Sequence, residues 1–202
     1  KHIAAKFSLD LTARTPIEFR LTRHLNGGNS LISLWRELGY RTIAEIGTEQ
    51  GRYAEEICKG IPGVRLWCID PWQAYDRYED HRSQAKLDSF YADAQARLAP
   101  WKNDVTLCRR ASLGAVDLFQ DGELDAVFID ANHHFDYVVR DIIAWAPKVR
   151  SGGMVAGHDY RHEGRETPRI PFGVIQAINA YTDAHEIRPW WVIRGDKSAS
   201  WF

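Results

Sequence analysis

Thr42-Ile43-Ala44-Glu45-Ile46-Gly47-Thr48-Glu49-Gln50-Gly51 is the stretch on which the fold turns. Its first five residues read as a short apolar strand and Gly47 to Gly51 as a tight turn. Tyr53, Ala54 and Ile57 then recur at helical spacing. The same unit returns along the chain, with apolar runs at Val64–Ile69, Val105–Cys108, Leu124–Ile129 and Met154–Ala156. Between the runs, Leu87, Phe90, Tyr91, Ala94 and Leu98 mark one helix. Phe135, Val138, Val139, Ile142 and Ile143 mark another, closed by Pro147. Strands alternating with helices of this length build βαβ units, and their continuous apolar character suits a parallel sheet covered on both faces. A helix from about Phe172 to Ala184 follows. The strands Trp190–Ile193 and Ala199–Phe202, joined at a Gly195-Asp196 turn, read as an antiparallel hairpin added to the sheet edge. The expected fold is α/β, a Rossmann-like doubly wound sheet that is mostly parallel and carries that C-terminal hairpin.

Towards the N-terminus, Thr15-Pro16-Ile17-Glu18 has the form of a capping box with Pro at the first helical position. It predicts a helix to about Leu25, ended by Asn26-Gly27-Gly28. Leu31, Leu34, Trp35 and Leu38 predict a second helix. Residues 1–40 therefore read as an N-terminal helical segment and 41–202 as the α/β core of a single domain, the number that 202 residues suit.

Hydrophobic residues at 45% and charged residues at 26% place the chain among globular proteins and exclude disorder and coiled coil. Lys and Arg number 26 against 27 Asp and Glu, a formal charge of −1. That balance weighs against a nucleic-acid or anionic-membrane partner. No apolar run approaches the roughly 18 residues of a membrane span, and no basic-then-apolar signal peptide opens the chain. Cys58, Cys68 and Cys108 have no C-x-x-C spacing, and two of them sit in apolar runs as small hydrophobes, so a cytoplasmic, reduced protein is expected.

In doubly wound sheets ligands bind at the carboxyl ends of the strands. The first end, Glu45 to Gly51, places two glycines where a backbone must turn tightly against a ligand, with Thr48 between them. Glu45 and Glu49 would repel a pyrophosphate and suit a ligand bearing an ammonium or sulfonium charge. The next strand ends in Asp70, about 20 residues beyond the glycine turn, where nucleoside folds hold a ribose diol. Trp72 either lies on a base or packs as an ordinary aromatic. After the third strand come Ala111 and Ser112, and Ser112 either caps the next helix or borders the base.

The fourth strand runs into Asp130-Ala131-Asn132-His133-His134, and the fifth ends in Gly157-His158-Asp159-Tyr160. Asp130, His133, His158 and Asp159 thus converge from two neighbouring strand ends. Carboxylates and imidazoles so placed could hold a divalent cation with positions open to substrate.

These residues resemble class I S-adenosylmethionine-dependent methyltransferases. Within that class they resemble the metal-dependent O-methyltransferases related to macrocin and mycinamicin sugar methyltransferases. The resemblance runs from about Leu31 to Phe202. It rests on Glu45 to Gly51, Asp70, Ile129 to His133, Asp141 to Pro147, Gly152-Gly153 and Gly157 to Tyr160. It implies that Glu45, Gly47, Thr48 and Gly51 surround the methionine part of the cofactor, that Asp70 holds the ribose, and that Trp72, Ala111 and Ser112 border the adenine. It further implies Asp130 and Asp159 as metal ligands and His133 as general base. His158 stands where relatives often carry an acid. An imidazole there suits Mn²⁺, Fe²⁺ or Zn²⁺ better than Mg²⁺, or His158 stands aside and orients a hydroxyl.

The expected activity is metal-assisted methyl transfer to a hydroxyl of a small molecule, a sugar-containing or acidic metabolite. Two alternatives are a metal-dependent hydrolase built on the Asp/His cluster and a non-catalytic cofactor-binding module. The stretch Trp72 to Tyr78 reads either as a lid or as an ordinary loop anchored by aromatics; the three arginines of Tyr160 to Arg169 could recognise an acidic acceptor, though the interleaved glutamates favour a solvated loop. The N-terminal helices either cover the cofactor or form a homodimer contact.

Overall fold

The computed structural model describes residues 2–12, 14–20, 30–75, 83–161, 172–194 and 199–202. Eight strands form one sheet: β1 (Ile17–Arg20), β2 (Thr42–Ile46), β3 (Arg65–Ile69), β4 (Val105–Cys108), β5 (Leu124–Ile129), β6 (Val149–Gly157), β7 (Trp191–Arg194) and β8 (Ala199–Trp201). Their order across the sheet is β1-β7-β8-β6-β5-β2-β3-β4. β2 and β5 lie at its centre, and each is buried along almost its whole length. Five pairings are parallel, and β8 runs antiparallel to both β6 and β7. The doubly wound sheet with its C-terminal hairpin is thus the observed fold.

Helices cover both faces, as a sheet apolar on both sides requires. On one face Leu31, Leu34 and Trp35 of α2 (Ser30–Glu37) and Ile57 of α3 (Arg52–Gly60) join the core. On the other, Val138, Ile142 and Trp145 of α6 (Phe135–Trp145) meet Val174, Ala177 and Ile178 of α7 (Val174–Ala184). The remaining helices are α1 (His2–Phe7), α4 (Gln84–Leu98) and α5 (Ser112–Ala115). Cys58, Cys68 and Cys108 are buried free thiols. No helix among the described residues is long and apolar enough to cross a membrane.

One element differs in kind from the sequence expectation. Ile17–Arg20, expected inside a helix, is strand β1, laid parallel to β7 with Ile17 opposite Trp191. Ile17 and Phe19 alternate with Glu18, a strand pattern, and β7 would otherwise leave its outer backbone groups unpaired. The Ile17 N–H bonds to the Trp190 carbonyl, and Arg194 clasps Glu18 through two hydrogen bonds of 2.6 and 3.0 Å. Tertiary pairing outweighs a local capping signal. The expected helix end near Leu25 and Asn26-Gly27-Gly28 lies outside the described residues, as do the Gly195-Asp196 turn, Asp76 to Tyr78, and residues 162–169 of the arginine-bearing stretch.

Candidate active site

From β2 the chain proceeds outward through β3 and β4, then crosses back so that β5 pairs with the other side of β2. The strand order reverses between β2 and β5, which is where an open α/β sheet binds ligands. A cavity of about 350 Å³ lies there, within the range of small-molecule sites. Glu45, Thr48, Asp70, Asp130, His133 and Asp159 all line it.

The bank built on β2 and β3 is tightly made. Glu45 is only 1% exposed, and the Thr48 hydroxyl donates to its Oε2 at 2.7 Å. Burial pushes its carboxyl up to about 8, with Thr48 pulling the other way and the charges of Asp130 and Asp70 adding to the rise. Gly47 has φ +95°, and a Cβ there would strike the Asp130 carbonyl and come 2.7 Å from Ala131 Cα. Only a glycine lets the β2 and β5 exits pass this closely. The Asp70 carboxylate accepts from the Glu49 N–H at 2.9 Å and the Trp72 N–H at 2.8 Å, stitching the first two turns together.

Trp72 also lines the cavity, but its ring is 1% exposed and packs among Leu87, Phe90 and Ala94. Its Nε1 donates to the Glu49 carbonyl at 2.7 Å. It is a wall of the cavity and part of the α4 packing at once. Ala111 is exposed at the N-cap of α5 and is not among the lining residues, whereas Ser112 is. Ser112 does not cap the helix: its hydroxyl turns inward, donating to Asp141 Oδ1 at 2.5 Å and accepting from Trp145 Nε1 at 2.9 Å.

The opposite bank is made by the ends of β5 and β6. Asp130, His133 and Asp159 bring one ligand atom each within 4.8 Å of the others. The trio differs in one member from the set expected to hold a metal, Asp130, His158 and Asp159. His133, not His158, completes the trio, while His158 flanks it with Nδ1 3.5 Å from Asp159 and 3.9 Å from Asp130. Asp159 itself is left-handed at φ 57°, a backbone state that accumulates at functional sites.

His133 Nε2 lies 3.0 Å from Asp159 Oδ2 and 3.6 Å from Asp130 Oδ1. Neither carboxylate meets it in hydrogen-bond alignment, and this buried nitrogen has no hydrogen-bond partner. Burial opposes a charge on the ring. The two carboxylates outweigh it, and the imidazole is raised to about 9. The ring stacks on Phe172 at 4.7 Å, and Arg161, bonded to Asp159 at 3.0 Å, covers the same Phe172.

Two carboxylates and an imidazole around an orphaned nitrogen form a donor set that fits a divalent cation of the Mn²⁺, Fe²⁺ or Zn²⁺ type. The cavity beside it fits a cationic nucleoside ligand: carboxylates surround it, and the buried Tyr53 hydroxyl on its wall lacks a partner.

Residues 44–160, more than half of the chain, match the family described as "Methyltransferase domain". The chain belongs to this methyltransferase family. The solved structure of the O-methyltransferase TomG from Streptomyces achromogenes, in complex with SAM, superposes with TM-score 0.63 at 20% identity, over 98% of this chain and 84% of that one. An O-methyltransferase from Bacillus cereus in complex with SAH gives TM-score 0.59 at 18% identity, over 99% and 87%. At these identities the likeness is one of fold. The uncharacterized protein y4gI of Sinorhizobium fredii is 24% identical over 123 residues, 59% of this chain, which spans only 13% of that protein's length. The family match runs through both banks of the cavity, from Glu45 to Asp159.

Two groups at the site escaped the sequence reading. Asn132, 7% exposed, accepts the His134 N–H on Oδ1 and donates from Nδ2 to the Tyr75 hydroxyl at 3.2 Å. Asp141 is 5% exposed on α6, and burial raises its carboxyl to about 6 against the Ser112 hydrogen bond and the Arg140 charge. Its signal was present: Val138, Asp141, Ile142 and Trp145 follow the i, i+3, i+4, i+7 rhythm of a buried face, with one carboxylate set among apolar residues.

Proposed function

We propose that this methyltransferase transfers a methyl group from S-adenosylmethionine to a hydroxyl oxygen of a small-molecule acceptor. The observation that carries the reading is one cavity with two unlike banks, an acidic glycine turn on one side and the Asp130–His133–Asp159 trio on the other. The fold likeness to O-methyltransferases solved with SAM and SAH supports it. A hydrolase needs no nucleoside and would leave Glu45, Gly51 and Asp70 unexplained. We further propose a single domain acting in the cytoplasm, on an acceptor that is sugar-bearing or acidic.

Glu45, Gly47, Thr48 and Gly51 would hold the methionine part and Asp70 the ribose, with Trp72, Ala111 and Ser112 at the adenine. A cation on the β2 bank is favoured by Glu45, which would yield its proton to a neighbouring positive charge. Asp130, Asp159 and His133 would hold the divalent metal, which supplies Lewis acidity towards a hydroxyl.

The acceptor oxygen attacks the methyl carbon in line with the departing sulfur, the carbon–sulfur bond breaks, and its electron pair neutralises the sulfonium. The hydroxyl proton needs a base. With His133 occupied in the trio, His158 is the second imidazole nearby, beside the cavity rather than on its lining, with Nδ1 3.5 Å from Asp159. Asp130 and Asp159 orient both rings. On this reading His133 serves as ligand and His158 as base, the reverse of the roles that the resemblance implies.

Calorimetric titration of the purified protein with S-adenosylhomocysteine in the presence of Mn²⁺ tests the reading. Micromolar saturable binding that is lost in Asp70→Ala supports it. Absence of binding by the native protein overturns it and moves a hydrolytic use of the trio to first place.

A further inference from the structure

The contacts of Ser112 bear on which base the cavity accepts, if the reading above places that base beside it. A serine hydroxyl carries one hydrogen and two lone pairs. Here the hydrogen is committed to Asp141 Oδ1 in a short bond, and one lone pair is taken by Trp145 Nε1, an obligate donor on a fully buried ring. One lone pair remains, on a residue that lines the cavity. A serine that could turn its proton would serve donors and acceptors alike. This one is held as an acceptor.

We propose that Asp141 and Trp145 act as positioning residues that fix Ser112 as a hydrogen-bond acceptor towards the base, so that the site selects a 6-amino purine over its 6-oxo counterpart. An amino edge donates to the remaining lone pair. A carbonyl edge sets oxygen against oxygen and loses the bond. The discrimination sits in the pair behind Ser112 as much as in Ser112 itself, because the hydroxyl becomes selective only once its proton is engaged. Burial of Asp141 on α6 serves this end: with little solvent beside it, little competes with the serine hydroxyl for its oxygen.

The test is calorimetric, on the full chain, with S-adenosylhomocysteine and its 6-oxo analogue S-inosylhomocysteine. The native protein should bind the adenosyl compound about ten- to a hundredfold more tightly. Asp141→Asn offers Ser112 an amide donor and frees its proton to turn. It should therefore shrink that ratio at least about threefold while the protein still binds the adenosyl compound. A loss of packing alone would weaken both ligands together and leave the ratio standing. Ser112→Ala should bring the ratio close to unity. Equal binding of the two compounds by the native protein, or tighter binding of the inosyl compound, overturns the proposal. So does a ratio unchanged in both variants. Binding of neither compound overturns the cofactor reading itself, a distinct result.

Discussion

The two banks of the cavity use carboxylates in opposite ways. On the β2 and β3 bank, Glu45 and Asp70 are answered from within: Thr48 donates to one, and the N–H groups of Glu49 and Trp72 donate to the other. On the β5 and β6 bank, Asp130 and Asp159 face a buried imidazole nitrogen that neither satisfies. The first bank is a finished shape into which a ligand fits, and the second an incomplete coordination set. Stability should therefore depend on the first and turnover on the second.

The largest effect falls where the banks touch. Gly47→Ala drives a methyl group into the Asp130 carbonyl at a backbone angle that alanine resists. It should cost about 3 kcal/mol or more, or abolish folding, as read from urea midpoints. Gly51 is the control. It too is left-handed, yet a Cβ there meets first a Leu98 side-chain carbon at 3.1 Å, which can yield. Gly51→Ala should cost about 1–2 kcal/mol. Equal losses in the two variants would mean that backbone angle alone, not contact between the banks, decides.

Next comes the open bank. Asp159→Asn should lower turnover about 10³-fold and abolish divalent-metal binding while cofactor affinity stays within about threefold. His133→Ala and His158→Ala separate the two imidazoles. The first should lose metal binding measured by calorimetry. The second should keep it, yet lose about 10²-fold in turnover. The opposite pattern would restore His133 as the base.

A pH series probes the finished bank. The Glu45 carboxyl is raised from 4.5 to about 8, so the folded state binds that proton more tightly than the unfolded chain. Its contribution to stability is complete below the unfolded value and is lost as pH rises through the folded one. Glu45→Gln keeps an acceptor for Thr48 and removes the titration. The variant should gain on the native protein by about 4 kcal/mol between about pH 5 and about pH 8.5 in denaturation midpoints. A constant difference across that window would place Glu45 ionised in the ligand-free protein.

Much of this arrangement can be read from residues alone, because the features that build it are local. Buried parallel strands need unbroken apolar runs, and Thr42–Ile46 and Leu124–Ile129 are such runs. Asp70 and Asp130 stand out because each follows one directly. What escapes the sequence depends on partners far along the chain or on the direction of one side chain. Glu18 reads as a capping residue until Arg194 is seen beside it. Trp72 could lie on a ligand or in a core, and only the placement of Phe90 and Leu87 decides how much of its ring is packed. The left-handed turn at Asp159 is likewise announced by no pattern.

The smallest effect concerns the hydrogen bond that ties the loop after β3 to the turn after β5, from Asn132 Nδ2 to the Tyr75 hydroxyl. Tyr75 is 40% exposed, so water can take over much of what the bond supplies. Tyr75→Phe should cost less than about 1 kcal/mol in stability. Asn132→Ala also strips the acceptor from the His134 N–H and should cost more. If the banks work as one site, the two changes combine less than additively in cofactor affinity, with a coupling of about 0.5 kcal/mol or more in a double-mutant cycle. Strict additivity would mean that each bank meets its ligand independently, and that the contact at Gly47 alone holds them in register.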